Sequence, residues 1–367
     1  MDKGLINKRF FLYPVSLLYG IGVWLRNKLF DWNFYKERSF KLPVICIGNL
    51  TVGGTGKTPH TEYLIRLLQN QFQVTVLSRG YKRKSKGFQL ASPQSTVNQL
   101  GDEPFQMKQK YPKIHMAVDA DRCHGIEQIC KNSVSADTDV ILLDDAYQHR
   151  YVKAGLNILL IDYNRPITED QLLPCGQLRE QESGKYRAHI VIVTKCPRNL
   201  TPMDFRVMTK RLNLFAFQQL FFSTLQYGKL YPLFTEGKEY PLSSIHPSVH
   251  ILLVTGIASP EKLKDDLFRY NQNIHSISFG DHHHFTTADM EIIQNNFDKL
   301  PEHKRMLITT EKDAVRLKAE SSLLSASIKP YIYVLPVEVA FLQEQQDLFN
   351  NNIIDYVRKN PRNSKLP

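Results

Sequence analysis

The chain has 367 residues, room for about two domains with a sizeable core, and 42% hydrophobic against 23% charged residues is ordinary for a folded protein. A formal net charge of +11 favours an anionic partner, whether nucleotide, nucleic acid, phosphorylated substrate or lipid headgroup, without choosing among them. Five scattered cysteines, odd in number and with no pair two apart, exclude a disulfide framework and a cysteine zinc site and fit a reducing compartment.

From Phe10 to Leu25 the chain reads F-F-L-Y-P-V-S-L-L-Y-G-I-G-V-W-L, flanked by Lys3, Lys8, Arg9, Arg26 and Lys28. This stretch, broken by Pro14 and two glycines, falls short of the roughly 20 residues that a spanning helix needs. The small-residue cleavage site of a signal peptide is missing. Tyrosines, a tryptophan and flanking basic residues predict a helix lying in the membrane interface; a helix packed on its own domain is the alternative.

Pro43 to Pro59 reads P-V-I-C-I-G-N-L-T-V-G-G-T-G-K-T-P: an apolar strand from Val44 to Ile47, a glycine-rich turn, and Gly56-Lys57-Thr58 opening a helix. A triphosphate needs that order. The turn, with Thr51, Gly53, Gly54, Thr55 and Gly56, lets backbone N–H groups close around phosphate oxygens, Lys57 reaches the β and γ phosphates, and the Thr58 hydroxyl can ligate Mg²⁺. The helix N-terminus adds partial positive charge. Thr51 stands where such loops usually carry their first glycine.

The helix continues through Gln69, and the strand Val74 to Leu77 delivers Ser78-Arg79-Gly80-Tyr81 at the edge where open α/β sheets bind ligands. Arg79 faces phosphate there or belongs to a solvated basic loop. Asp102 and Glu103 lie between a glycine and a proline, in an expected loop. The strand from Val140 ends in Asp144 and Asp145, metal candidates because the terminal Asp of such a strand holds Mg²⁺ beside a phosphate loop; a helix N-cap is the other reading. Strands at 157–161 and 190–193 follow, with Arg179 in the loop between them. Short apolar strands separated by helix-length segments predict a parallel, doubly wound sheet. Thr194-Lys195-Cys196-Pro197 lacks the aspartate of a guanine-reading loop, which disfavours guanine.

Residues 216–245 are extended and aromatic and read as a linker. A second α/β unit follows over 246–358, with strands at 249–254, 274–279, 306–308 and 331–335, a closing helix from Val339 to Tyr356, and a frayed tail over 359–367. Asp281-His282-His283-His284 has poor geometry for one metal ion, leaving surface histidines or an Asp–His contact in which one group tunes the other.

Seven ordered motifs, G-N-L-T-V-G-G-T-G-K-T-P at 48–59, S-R-G-Y at 78–81, G-D-E-P at 101–104, D-D-A-Y-Q-H at 144–149, L-P-C-G-Q-L-R-E at 173–180, F-G-D-H-H-x-F at 279–285 and T-E-K-D-A at 310–314, together resemble the tetraacyldisaccharide 4'-kinase family. The resemblance spans nearly the whole chain. It implies a phosphate-loop kinase domain over 31–215, joined by a two-stranded linker to a smaller α/β domain, with residues 1–30 as a membrane-associating helix and the active site in the cleft between the domains. It implies transfer of the γ-phosphate of ATP to the 4'-hydroxyl of a tetraacylated glucosamine disaccharide 1-phosphate, giving lipid IVA. The enzyme would be peripheral on the cytoplasmic leaflet of a bacterial inner membrane, without a nucleic-acid partner. Carried over residue by residue, nucleotide phosphates fall to residues 53–58. Mg²⁺ falls to Thr58 with acids drawn from Glu103, Asp144 and Asp145, and Asp102 is the base, assisted by His282. Arg79, Gln148, His149 and Arg179 are candidates for substrate contact.

Ala146 and Tyr147 depart from the usual D-D-G-F-Q-H, which predicts a local backbone adjustment. One rival, a membrane-associated ATPase switch acting through protein partners, calls for a lysine where this chain has Val52. The other, a non-catalytic lipid- or nucleic-acid-binding protein, has no need of the four carboxylates.

Overall fold

Runs of Val, Ile and Leu too short for helices alternate with segments of helical period, and the chain folds accordingly. The computed structural model describes residues 3–257, 260–280, 283, 285–360 and 363, the side chains of 3–11 excepted. In chain order come α1 (Lys3–Asp31), β1 (Val44–Asn49), α2 (Lys57–Leu68), β2 (Val74–Ser78), β3 (Gln89–Leu90), α3 (Val97–Leu100), α4 (Asp102–Lys110) and β4 (His115–Val118). Next are α5 (Arg122–Lys131), β5 (Val140–Asp144), β6 (Leu156–Asp162), β7 (Ile190–Thr194), α6 (Pro202–Leu212) and β8 (Gln219–Tyr227). The remainder forms β9 (Tyr231–Pro232), β10 (His250–Thr255), α7 (Pro260–Phe268), β11 (Ile274–Ser278), α8 (Thr287–Asp298) and β12 (Arg305–Thr310). It ends with α9 (Glu311–Ala319), β13 (Ile332–Leu335), β14 (Val337–Phe341) and α10 (Gln346–Arg358). Two compact units result, Met1–Leu225 with Val339–Pro367, and Gln226–Glu338.

The first unit carries a sheet in the order β14-β8-β7-β6-β1-β5-β2-β4-β3. Strand β1 is parallel to β5 and to β6, with Ile45 opposite both Leu142 and Leu156. Side chains alternate along β1 as the pleat requires. Ile45 and Ile47 join a core with Leu64, Ile65 and Leu68 of α2 and Phe349, Ile353 and Val357 of α10, whereas Val44 and Cys46 join another with Ile126 and Ile129 of α5. Both faces are therefore covered, which is why the parallel strands read as unbroken apolar runs. Each such fully buried side chain contributes about 1.5–3 kcal/mol relative to exposure. From β1 the chain winds first toward β2 and β4, returns through β5, and then crosses to β6, so the order reverses beside β1 and opens a crevice at the strands' C-terminal ends.

Three expectations need correction. Residues 339–356 are not one helix: V-E-V-A-F alternates with period two and forms β14, and Gln343 and Glu344, with φ of 57° and 55°, separate it from α10. Helix α10 belongs to the first unit, where Tyr356 Oη donates to Val44 O at 3.1 Å, so the chain passes between the units twice. Finally, the segment read as a 216–245 linker begins with β8, a strand of the large sheet parallel to β7. The N-terminal helix also runs unbroken through Pro14 and both glycines. Gly20 lets α1 lie close to the Leu172 side chain, whose Cδ1 would have to shift from a Cβ placed 2.8 Å away. No helix among the described residues is long and apolar enough to cross a membrane.

The second unit has a sheet in the order β11-β10-β12-β13-β9, parallel except for β9. Its T-E-K-D-A motif is structural. Asp313, fully buried, accepts from Gly256 N at 2.9 Å, Thr310 Oγ1 at 2.7 Å and Arg316 Nη1 at 3.2 Å, pinning the turn after β10 to the start of α9. His283 stacks on Phe279 at 4.8 Å and its Nε2 lies 2.9 Å from Asp289 Oδ2, which already serves the capping box of α8. His282, the expected partner of Asp102, lies outside the described residues.

Candidate active site

Asn49, Ser78, Asp144, Asp162 and Thr194 end β1, β2, β5, β6 and β7, and all five are buried. Polar groups at the ends of otherwise apolar strands persist only where partners satisfy them. For Asn49 and Thr194 the partners lie in the phosphate loop, Ser78 and Asp144 pair with each other, and Asp162 is satisfied by Lys195 and Asn164.

The loop turns on two glycines with left-handed backbone, Gly53 at φ 100° and Gly56 at φ 85°, the latter capping α2. Asn49 organises it from below. Its Nδ2 donates to Thr55 Oγ1 at 2.9 Å, and its Oδ1 accepts from Lys57 Nζ at 3.3 Å. Thr194 Oγ1 donates to Thr55 O at 2.8 Å, tying β7 to the same turn. Thr51 is buried and bridges to Leu178, so a side chain is tolerated where glycine is usual. Thr58 is the second residue of α2 and is half-buried.

His60, buried one turn into α2, places Nδ1 2.7 Å from Gly56 O and Nε2 3.0 Å from Ser223 Oγ. A carbonyl only accepts, so Nδ1 carries the proton and Nε2 accepts from Ser223. Burial pushes the imidazole pKa down to about 4 from 6.5. Between those values the unfolded chain binds a proton that the folded chain refuses, so stability falls as pH drops through the window. By pH 4 the loss is roughly 3 kcal/mol for this residue. His60→Gln is expected to flatten the dependence of the urea midpoint on pH between 4 and 6.5; parallel curves for both proteins would refute this.

Asp144 accepts from Thr61 Oγ1 at 3.1 Å and Ser78 Oγ at 3.3 Å. Burial, then the Asp145 carboxylate, push its pKa up, while Lys57 pulls it down. Asp145, at φ 47°, turns its carboxylate to Lys57 Nζ at 3.6 Å and to Arg179 Nη1 at 3.2 and 3.3 Å. Gln148 completes the group, donating to Asn49 O at 2.7 Å and accepting from Arg179 at 3.5 Å. Two adjacent carboxylates, one buried and destabilised by the other, form a donor set that suits a hard divalent cation. Glu103, exposed on α4, forms with Asp144 and Asp145 no group of ligand atoms within 4.8 Å of one another.

Asp102 and Glu103 are not in a loop but open α4. Two motifs far apart in sequence meet there. A Cβ on Gly80 would lie 2.9 Å from Leu100 O, and one on Gly101 2.8 Å from Tyr81 O, so the S-R-G-Y and G-D-E-P turns touch backbone to backbone. Arg79 is exposed beside them, and its charge is felt by Arg122 and His149. His149 is held down to about 4 by burial and then by Arg122, so it is neutral.

Tyr147 explains its own departure from the family pattern. Its hydroxyl donates to Gly184 O at 2.8 Å, and its Cβ approaches so closely that a Cβ on Gly48 would sit 2.6 Å away. Sequence reasoning missed Asn49, Thr61 and Arg122. Arg122 is buried on α5 and donates to Asp145 O at 3.4 Å; its place just after the C-terminal end of β4, on the ligand edge, was the available signal. Also missed was the polar side of α1. Ser16 Oγ donates to Leu172 O, Tyr19 Oη to Arg179 O and Arg26 Nη2 to Gln148 O, at 2.8, 2.8 and 2.9 Å.

A family model described as "Tetraacyldisaccharide-1-P 4'-kinase" matches residues 8–357. The tetraacyldisaccharide 4'-kinase of Phocaeicola vulgatus is 66% identical over 366 residues, 100% of both chains. That of Bacteroides thetaiotaomicron is 54% identical over 374 residues, covering 100% of this chain and 98% of its own. Among solved structures, the chain is similar to the "apo" form of LpxK from Aquifex aeolicus in complex with ATP. The TM-score is 0.72 at 27% identity, with 95% of this chain and 99% of that one covered.

Proposed function

The chain belongs to the tetraacyldisaccharide-1-P 4'-kinase family and is an ATP-dependent kinase of lipid A biosynthesis acting on a glycolipid, and on that premise we propose how its residues share the reaction. The loop from Gly53 to Thr58, with Thr51 beneath it, holds the phosphates of ATP, and Lys57 reaches the β and γ groups. Thr58, Asp144 and Asp145 hold Mg²⁺, which supplies charge neutralisation at the phosphates when bound. Asp102 accepts the proton of the 4'-hydroxyl, a poor nucleophile at neutral pH. Arg79, Gln148, His149 and Arg179 face the anionic substrates. The observation that carries this reading is the Lys57–Asp145–Arg179 group beside the buried Asp144, charged side chains gathered where the switch in strand order opens a crevice. Incubation with γ-labelled ATP and tetraacyldisaccharide 1-phosphate, followed by thin-layer separation, tests it. Label in a bisphosphorylated glycolipid supports the reading; label released only as inorganic phosphate refutes it.

The enzyme meets its substrate at the cytoplasmic leaflet of the inner membrane through α1. That helix hydrogen-bonds the site loops with one side while Leu12, Val15, Leu17, Leu18, Ile21, Trp24 and Leu25 are exposed on it. Leu17 and Leu18, at 66% and 69% exposure, are the clearest points of insertion. Leu17→Glu with Leu18→Glu is expected to lower recovery on anionic vesicles about tenfold while leaving transfer to detergent-dispersed substrate largely intact. An unchanged vesicle-bound fraction would count against the anchor.

A further inference from the structure

Arg165, in the turn after β6, belongs to none of the groups described above. Its N–H donates to Asp162 O at 3.0 Å, which brings the side chain back toward the phosphate loop. There Nη2 lies 3.4 Å from the position a Cβ on Gly53 would take, whereas a Cβ on the neighbouring Gly54 would meet nothing within 4 Å. The guanidinium is therefore laid against the one side of the loop, next to an open face. It is held by the side chain of Gln177, whose Oε1 accepts from Nη1. Gln177 in turn is fixed to the loop itself, since its carbonyl accepts from Val52 N at 2.7 Å and its own N–H donates to Asp170 Oδ1 at 3.1 Å. Lys57 and Arg179 both spend charge on Asp145; the planar fork of Arg165 meets a neutral amide instead.

We propose that Arg165 is a phosphate-contacting catalytic residue, an arginine supplied in cis that binds the terminal phosphate of the nucleotide over Gly53. The proposal rests on the nucleotide reading given above. Gly53 lies in the loop that, with Lys57, takes the nucleotide's phosphates, so a cation laid over it stands beside the phosphate tail, and the proposal assigns it to the end of that tail. In that step the bond from the acceptor oxygen to the γ phosphorus forms as the bond to the β–γ bridging oxygen breaks. ADP keeps the electron pair and the acceptor's proton passes to Asp102. Arg165 forms no covalent bond; two N–H groups of its fork neutralise charge on the equatorial oxygens, a task a lysine performs less well because it cannot donate bidentately.

The test uses the intact chain with Arg165→Ala and Arg165→Lys, each checked for an unchanged melting temperature. Transfer rate is measured with the glycolipid, and affinity with ADP and with a non-hydrolysable ATP analogue. Arg165→Ala is expected to cut kcat at least 100-fold or analogue affinity at least tenfold, with ADP affinity within twofold of wild type, and Arg165→Lys to recover only part of the loss. The proposal is overturned if kcat and analogue affinity both stay within threefold of wild type, or if ADP affinity falls in step with the analogue. Were wild type itself to phosphorylate no glycolipid, the kinase reading would fail, and the analogue-to-ADP ratio would still decide the role of Arg165.

Discussion

Replacing Lys57 with alanine is expected to lower phosphate transfer by at least 100- to 1,000-fold, the cost of removing one preorganised charge from where negative charge develops. The structure shows why no neighbour can stand in. The Lys57 side chain is 15% exposed, and its Nζ is fixed between Asn49 Oδ1 and Asp145 Oδ1, at 3.3 and 3.6 Å. It is also the cation that pulls the pKa of buried Asp144 down against burial and Asp145. Its loss leaves the Asp144 and Asp145 carboxylates facing the phosphates without the cation that sits between them and Asn49, so like-charge repulsion is added to lost attraction. Lys57→Arg should not rescue, because a planar guanidinium does not reproduce the compact ammonium's contacts with Asn49 Oδ1 and Asp145 Oδ1. Steady-state kcat with the glycolipid acceptor checks this, and a kcat within tenfold of wild type would remove Lys57 from the chemistry.

Asp102→Ala is expected to cost 100- to 10,000-fold in kcat, the range for a general base, while affinity for ATP stays within about threefold. The two readouts separate because Asp102 opens α4, on elements distinct from the phosphate loop. Its position depends on the contact between the Gly80 and Gly101 turns, each held at positive φ, 69° and 91°. Asp102→Asn preserves the shape and removes the proton acceptor, so it should lose as much rate as alanine. Wild-type-like turnover in either variant would end the assignment, and a parallel loss of ATP affinity would give Asp102 a binding role instead.

Much of this centre was legible because short, local rules wrote it. A strand, two positive-φ glycines and Lys57 must be adjacent in sequence to make a phosphate loop, and Asp144 and Asp145 end an apolar strand that could only lie inside a sheet. Asn49 was hidden in plain view as the last residue of β1, since nothing in a linear pattern says that its amide will be aimed at Lys57 and Thr55. Arg165 became visible only in three dimensions, where strand order places the end of β6 on the same edge as the loop, and Arg122 could be found only by first recognising the short strand β4 that precedes it. The late strand β14 was misread as helix because Val339 to Tyr356 is apolar enough for either period, and the return of α10 to the first sheet is a choice of tertiary packing. The nature of Tyr147 was legible, but its partner Gly184 O was not.

The most direct measurement is a crystal structure of the protein with Mg²⁺ and a non-hydrolysable ATP analogue. The account predicts the β and γ phosphates seated on residues 53–58, Lys57 Nζ turned from Asp145 to phosphate oxygens, and the metal between those phosphates and the Asp144–Asp145 pair. A triphosphate bound elsewhere, with the Lys57–Asp145 contact undisturbed, would contradict it.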